Sequence, residues 1–150
     1  MKVKKINVSV VKDKHINNPS NCVKIARSLI NEEDFNKEHL VVMYLNSKNI
    51  VKSAEVVHTV KSAEVVHIGD INSCIVSPSN VFKSAIINDC NSIIILHNHP
   101  SGDLEPSVKD RDIFENLKKG GKILKIRVLD SIIFNKKGES YSLLFRRYEK

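Results

Sequence analysis

Residues 93–110 read IIILHNHPSGDLEPSVKD, and this stretch passes from an apolar strand through a loop into a helix. Ser92 to Leu96 is short, continuous and rich in β-branched residues, the pattern of a strand buried on both faces. Pro100, Gly102 and Pro106 interrupt any hydrophobic period, so His97 to Pro106 reads as a loop. Ser107-Val108-Lys109-Asp110 has the form of a capping box, with a hydroxyl to start a helix and a carboxylate in its first turn. That helix is expected from Val108 to about Lys119, closing on Gly120-Gly121.

The flanks supply more strands than helices. Upstream, residues 3–11 alternate loosely enough for a first strand, and Cys22, Val23, Ala26, Leu29 and Ile30 recur at helical spacing after Pro19-Ser20. His39 to Leu45 is a Val- and Leu-rich strand, and the Asn46–Asn49 turn leads into a second extended segment from Ile50, a hairpin. A short strand near Cys74–Val76 and a short helix around Val81–Ile86 precede the central strand. Downstream, Ile123–Leu129, Ile132–Phe134 and Tyr141–Phe145 read as strands, with Lys136-Lys137-Gly138 as a turn. Strands in direct succession argue for antiparallel or mixed pairing. The expected fold is α/β of the α+β type, a mixed sheet flanked by helices.

The second extended segment is duplicated: VKSAEVVHT at 51–59 is followed by VKSAEVVHI at 60–68. Two copies are too few for a repeat architecture. Because nine is odd, two copies in one unbroken strand present opposite faces, so a bulge, a reversal or an exposed ribbon is required, and we favour the ribbon. His58 and His67 are equivalent by duplication and read as surface histidines.

The chain's 150 residues suit one domain. Its longest apolar run, Leu40 to Leu45, falls far short of the roughly 20 residues that cross a bilayer, which excludes a membrane protein. The basic N-terminus lacks the apolar stretch and cleavage site of a secretory signal, and Cys22, Cys74 and Cys90 form no C-x-x-C pair. Both point to the cytoplasm and to reduced, buried thiols. The net charge of +7 suits an anionic partner, yet only five of the 24 basic residues are Arg and they are scattered. Weak nucleic-acid association is all that charge supports.

His97 and His99 stand two apart at the carboxyl end of a buried strand, where i and i+2 share a face, and Asp110 follows on the next helix. Two imidazole nitrogens and a carboxylate oxygen are a ligand set for a catalytic zinc that leaves its fourth position to water. Such an ion activates water and polarises a carbonyl, which is hydrolytic chemistry. Capping explains Ser107 and Asp110 equally well, but it does not explain two histidines beside a Pro-Gly loop.

With these residues in view, the sequence resembles the JAB/MPN domains that carry the JAMM metal motif, most closely the RadC-like branch. His97, His99 and Pro100 are followed by Ser107 after seven intervening residues from His99 and by Asp110 after two more, as in that motif. HNHPSG followed by PS-x-x-D, with VFKSAI upstream and GKILKIRVLD and YSLL downstream, is the RadC-like text, and the likeness runs from Asn36 to Leu144. The resemblance implies a single JAB/MPN domain of cytidine-deaminase-like architecture over 36–150, with the duplication at 51–68 inserted, and residues 1–35 as an N-terminal strand and helix of the same unit.

It further implies that His97, His99 and Asp110 bind one Zn2+ per chain, that Glu38 is the catalytic base, and that Ser107 bonds the tetrahedral oxyanion. On residues alone Glu38 reads as a surface carboxylate, with Glu32, Glu33 and Asp34 as rivals; His39, its neighbour, points to the other face. The implied activity is a zinc metalloprotease or isopeptidase acting on a peptide or protein substrate. The alternatives are a DNA-repair-associated or mobile-element-associated protein that binds nucleic acid, and a non-catalytic interaction domain. Ser131 stands where the branch usually has His, the duplication is a further departure, and the stretch before Glu38 reads as too short and too poor in Gly to supply the helix-hairpin-helix region of full-length members.

Overall fold

The computed structural model describes residues 15–60 and 77–150. The expected strands at 3–11 and near Cys74–Val76, the second copy of the duplication beyond Val60, and Cys74 lie outside those residues. Among the described residues ten elements follow in chain order: α1 (Pro19–Ser28), a 3₁₀ turn (Glu32–Asp34), β1 (Glu38–Leu45), β2 (Val51–Val60), α2 (Pro78–Ile87), β3 (Ser92–Asn98), α3 (Val108–Leu124), β4 (Arg127–Phe134), β5 (Ser140–Ser142) and β6 (Arg147–Glu149). The fold is α+β, with three helices around one mixed sheet.

The strands run in the order β2-β1-β3-β4-β5-β6. The pair β3 and β4, joined through α3, is parallel, and the others are antiparallel. Helices cover both faces, which is why β1 and β3 are almost continuously apolar. Val41, Met43, Leu45, Ile94 and Leu96 pack with Cys22, Val23 and Ala26 of α1 on one face. Leu40, Val42, Tyr44, Ile93 and Ile95 pack with Phe82 of α2 and Leu117 of α3 on the other. This two-sided burial fixes the register of the two central strands, because a slip by one residue would exchange the faces.

Several boundaries depart from the sequence reading. Helix α3 does not close on Gly120-Gly121; it continues to Leu124 and ends at Lys125, whose left-handed backbone (φ 60°) supplies the stop. The glycines serve packing instead. A Cβ at Gly121 would strike the Ile126 carbonyl oxygen, and one at Gly120 would come within 2.8 Å of the Phe82 ring. The expected strands Ile123–Leu129 and Ile132–Phe134 are one strand beginning only at Arg127. Asp130 and Ser131, which read as its break, lie buried inside it: Asp130 accepts bonds from Ser142 Oγ (2.6 Å) and from the amides of Ser131 (2.7 Å) and Leu144 (3.0 Å). The expected strand Tyr141–Phe145 is shifted to Ser140–Ser142, and β6 was not anticipated.

The first copy of the duplication lies in β2, where the pairing with β1 shifts register between Leu40 and Val41 and again between Tyr44 and Leu45. The exposed ribbon expected for the second copy lies outside the described residues. No helix among the described residues is long and apolar enough to cross a membrane.

Candidate metal centre

Strand β3 ends at Asn98, and its pairing with β1 places Leu40 opposite His97. Continuing that antiparallel register sets Glu38 opposite His99, so Glu38 and both histidines fall on one face. The chain then turns through Gly102 (φ 86°) and enters α3, whose first turn swings Asp110 over the same face.

The capping box forms as the sequence indicated. Ser107 Oγ accepts the Asp110 amide at 3.1 Å, and the Ser107 amide donates to Asp110 Oδ2 at 2.8 Å. Asp110 is therefore fixed by the helix start, and its oxygens face the imidazoles: Oδ1 lies 2.9 Å from His97 Nε2 and Oδ2 lies 3.2 Å from His99 Nε2. The two Nε2 atoms are 3.1 Å apart. One donor atom from each of Glu38, His97, His99 and Asp110 lies within 4.8 Å of all the others.

The spacing suits a tetrahedral ion. Bonds of about 2.0–2.1 Å at tetrahedral angles put ligand atoms roughly 3.3 Å apart, close to the 3.1 Å between the two Nε2 atoms, and each Nε2 has its own Asp110 oxygen within 3.2 Å. The tautomer fits as well. His99 Nδ1 lies 2.7 Å from the Asp103 carbonyl, an acceptor only, so Nδ1 holds a proton and Nε2 is the nitrogen the neutral ring would offer to an ion. Burial by itself would lower the His99 pKa, but bonds to the Asp110 carboxylate and the Asp103 carbonyl outweigh it and raise it. Burial opposes ionisation of Asp110 too; there the bonds from His97, His99 and the Ser107 amide win and hold the carboxyl well below its ordinary range. Asp110 is thus an anion at the centre of the cluster.

The residues picked out from the sequence come together, Ser107 beside them as the cap of α3. The rival acids do not join the cluster. Glu32 and Glu33 instead line a groove of about 410 Å³ with Phe35, Asn36, Lys136, His99 and Pro100, and Asp34 pairs with Lys37 at 3.3 Å. His39 is buried outside the cluster, its Nε2 2.9 Å from the Asp34 carbonyl. Ser131 is buried, its amide bonded to Asp130, while its carbonyl accepts the Leu143 amide at 2.9 Å. Sequence reading passed over Asp103, which orients His99 through a main-chain oxygen that no residue type signals.

The family model for the RadC-like JAB domain matches residues 16–148. The chain belongs to the RadC-like JAB family. Among curated relatives, a UPF0758 protein of Staphylococcus haemolyticus is 43% identical over 118 residues, 79% of this chain and 47% of that protein. One from Chlorobium chlorochromatii is 43% identical over 103 residues, 69% of this chain and 42% of its own length. One from Methanococcoides burtonii is 46% identical over 100 residues, 67% of this chain and 40% of its own. The chain spans about half the length of these relatives. Membership of the RadC-like family settles the domain; the cluster adds a possible metal-binding site of Glu, two His and Asp.

Proposed function

We propose that this RadC-like domain is a zinc-dependent hydrolase that cleaves a peptide or isopeptide bond in a protein substrate, acting in the cytoplasm. The observation that carries the reading is that His97 Nε2 and His99 Nε2 stand 3.1 Å apart, each within 3.2 Å of an Asp110 carboxylate oxygen, with Glu38 alongside. His97, His99 and Asp110 would hold the ion. Bound there, zinc brings the pKa of a coordinated water to about 7 and polarises the substrate carbonyl.

The protein groups then divide the remaining work. The Asp103 carbonyl keeps the proton on His99 Nδ1 and so keeps Nε2 available. Glu38, half-buried at the start of β1, takes the proton of the attacking water and passes it to the leaving amine nitrogen. The Ser107 hydroxyl accepts the Asp110 amide, and among the described residues its own proton has no acceptor, so it can donate to the developing oxyanion. Capping and catalysis therefore use different ends of one hydroxyl.

The test starts with metal content. Wild-type protein is expected to carry about one zinc per chain and His97→Ala essentially none. Glu38→Gln should keep the zinc and lose at least about 100-fold in turnover of any peptide or branched isopeptide substrate found by screening. Absence of zinc from the zinc-supplied wild type, or full activity in Glu38→Gln, would overturn the reading.

One observation favours a second reading, association with nucleic acid. Lys118, Lys122, Lys125 and Arg127 line a groove of about 570 Å³ at the C-terminal end of α3. Contacts to phosphate there would give an affinity that falls steeply with salt. Binding insensitive to salt, or unchanged by Lys122→Glu with Arg127→Glu, would dismiss it.

A further inference from the structure

Asn98 stands between the two histidines and faces away from them, yet it is fully buried. Its amide is spent on β1. Oδ1 accepts the His39 amide at 2.7 Å, and Nδ2 donates to the Lys37 carbonyl at 2.8 Å. Those two groups flank Glu38. Main-chain pairing between β1 and β3 ends at Leu40 and His97, so the Asn98 side chain carries the ladder onward where the backbones have parted. Asn98 itself is held from the other side, since it pairs with Phe134 of β4 and the next amide, His99, donates to the Phe134 carbonyl at 3.0 Å.

We infer that Asn98 is a positioning residue that sets the Glu38 carboxylate against the metal centre, acting through the backbone on either side of it. An amide suits this task because it offers one acceptor and one donor in a fixed plane, matching an N–H and a C=O two residues apart. Asp lacks the donor, and Ser is too short to reach both. The same three-residue run, His97-Asn98-His99, thereby supplies two ligands on one face of the sheet and the clamp for the base on the other. The inference rests on the reading of Glu38 as the base.

The test needs no substrate. Acetohydroxamate chelates a divalent ion and must give its hydroxyl proton to a nearby base as it does so, so its affinity for the zinc-loaded protein reports where that base sits. Glu38→Gln is expected to weaken it about tenfold or more, the scale of one charge-assisted hydrogen bond. Asn98→Ala should weaken it comparably, and the double variant should be no worse than Glu38→Gln, since both act on one contact. Zinc affinity of Asn98→Ala should fall by less than the roughly 10–100-fold that follows loss of a ligand's own hydrogen-bond partner, because no ligand leans on this amide.

If Asn98→Ala does not fold, Asn98→Asp keeps the bond to the His39 amide, loses the one to the Lys37 carbonyl, and is expected to weaken acetohydroxamate in the same direction. Wild-type acetohydroxamate affinity in the folded Asn98 variant, or a loss additive to that of Glu38→Gln, would overturn the inference and leave the functional reading standing. Wild-type affinity in Glu38→Gln would overturn both.

Discussion

Alanine at the two adjacent glycines of α3 should have opposite consequences. In a helix interior, Gly→Ala gains about 1 kcal/mol from the restricted unfolded chain and better propensity. At Gly120 the new Cβ would meet only the Phe82 ring, at 2.8 Å, and a ring edge can give way. Gain and strain there should cancel to within about 1 kcal/mol. At Gly121 the obstacle is the Ile126 carbonyl oxygen, with Val128 Cγ2 behind it at 3.1 Å. That carbonyl cannot retreat, because the Ile126 amide is bonded to the Gly121 carbonyl at 3.0 Å and Lys125 holds the reversal in its left-handed conformation. Overpacking against backbone should reach the upper end of its usual range, about 3 kcal/mol, leaving a net loss of about 2 kcal/mol. For a chain of this size each kcal/mol moves Tm by about 2–4 °C, so Gly121→Ala should melt about 4–8 °C lower and Gly120→Ala within a few degrees of wild type. Differential scanning calorimetry of the three proteins decides it. A Gly121→Ala protein as stable as Gly120→Ala would refute the close approach of α3 to β4.

Ser107→Ala should cost about 1 kcal/mol by removing the cap of α3 and Ser107→Gly only a few tenths, while both lose the hydroxyl; equal losses of turnover with unequal Tm would separate capping from catalysis, and equal Tm would contradict the cap. Burial pushes the Cys22 thiol up to about 12, the Asp130 charge adding to it, and raises Cys90 as well. Neither should react with iodoacetamide in native protein at pH 8, and peptide mapping that finds Cys22 labelled would contradict its packing. Burial also raises the Asp130 pKa above its usual 3.8 despite three hydrogen bonds that act to lower it. The stability this group contributes is then full below its unfolded pKa and is lost as pH rises through the folded value. Asp130→Asn should therefore gain on wild type as pH rises from about 4 toward 7, and a Tm difference constant over that range would rule the shift out.

The sequence exposed the centre of this molecule better than its edges, for physical reasons. The apolar run from Ile93 to Leu96 and the Ser107–Asp110 box each carry a local signal, so β3 and α3 begin where expected, although β3 runs on through His97 and Asn98, which read as loop. Glu38 carries none; a glutamate opening a strand acquires meaning only through a register that pairs residues some 60 positions apart, and resemblance to a family stood in for that register. Asn98 escaped notice because strand alternation turns it away from the histidines, and its partners, a carbonyl and an amide of another strand, leave no trace in residue types. Gly120-Gly121 misled because the same lack of a Cβ that ends helices also lets one run close to its neighbours. β6, Arg147–Glu149, was too short and polar for its pattern to speak.

Asp110 serves two masters, one carboxylate oxygen closing the first turn of α3 and both facing the imidazoles. A descendant that abandoned metal would still keep its Ser-x-x-Asp, because the helix needs it whatever becomes of the chemistry. His97 and His99 are bonded as well, to Asp110, to each other and, for His99, to the Asp103 carbonyl, but none of those bonds starts a helix. In this lineage, decay of the site should therefore be written first in the histidines, and a surviving Ser-Asp pair should not be mistaken for a surviving enzyme.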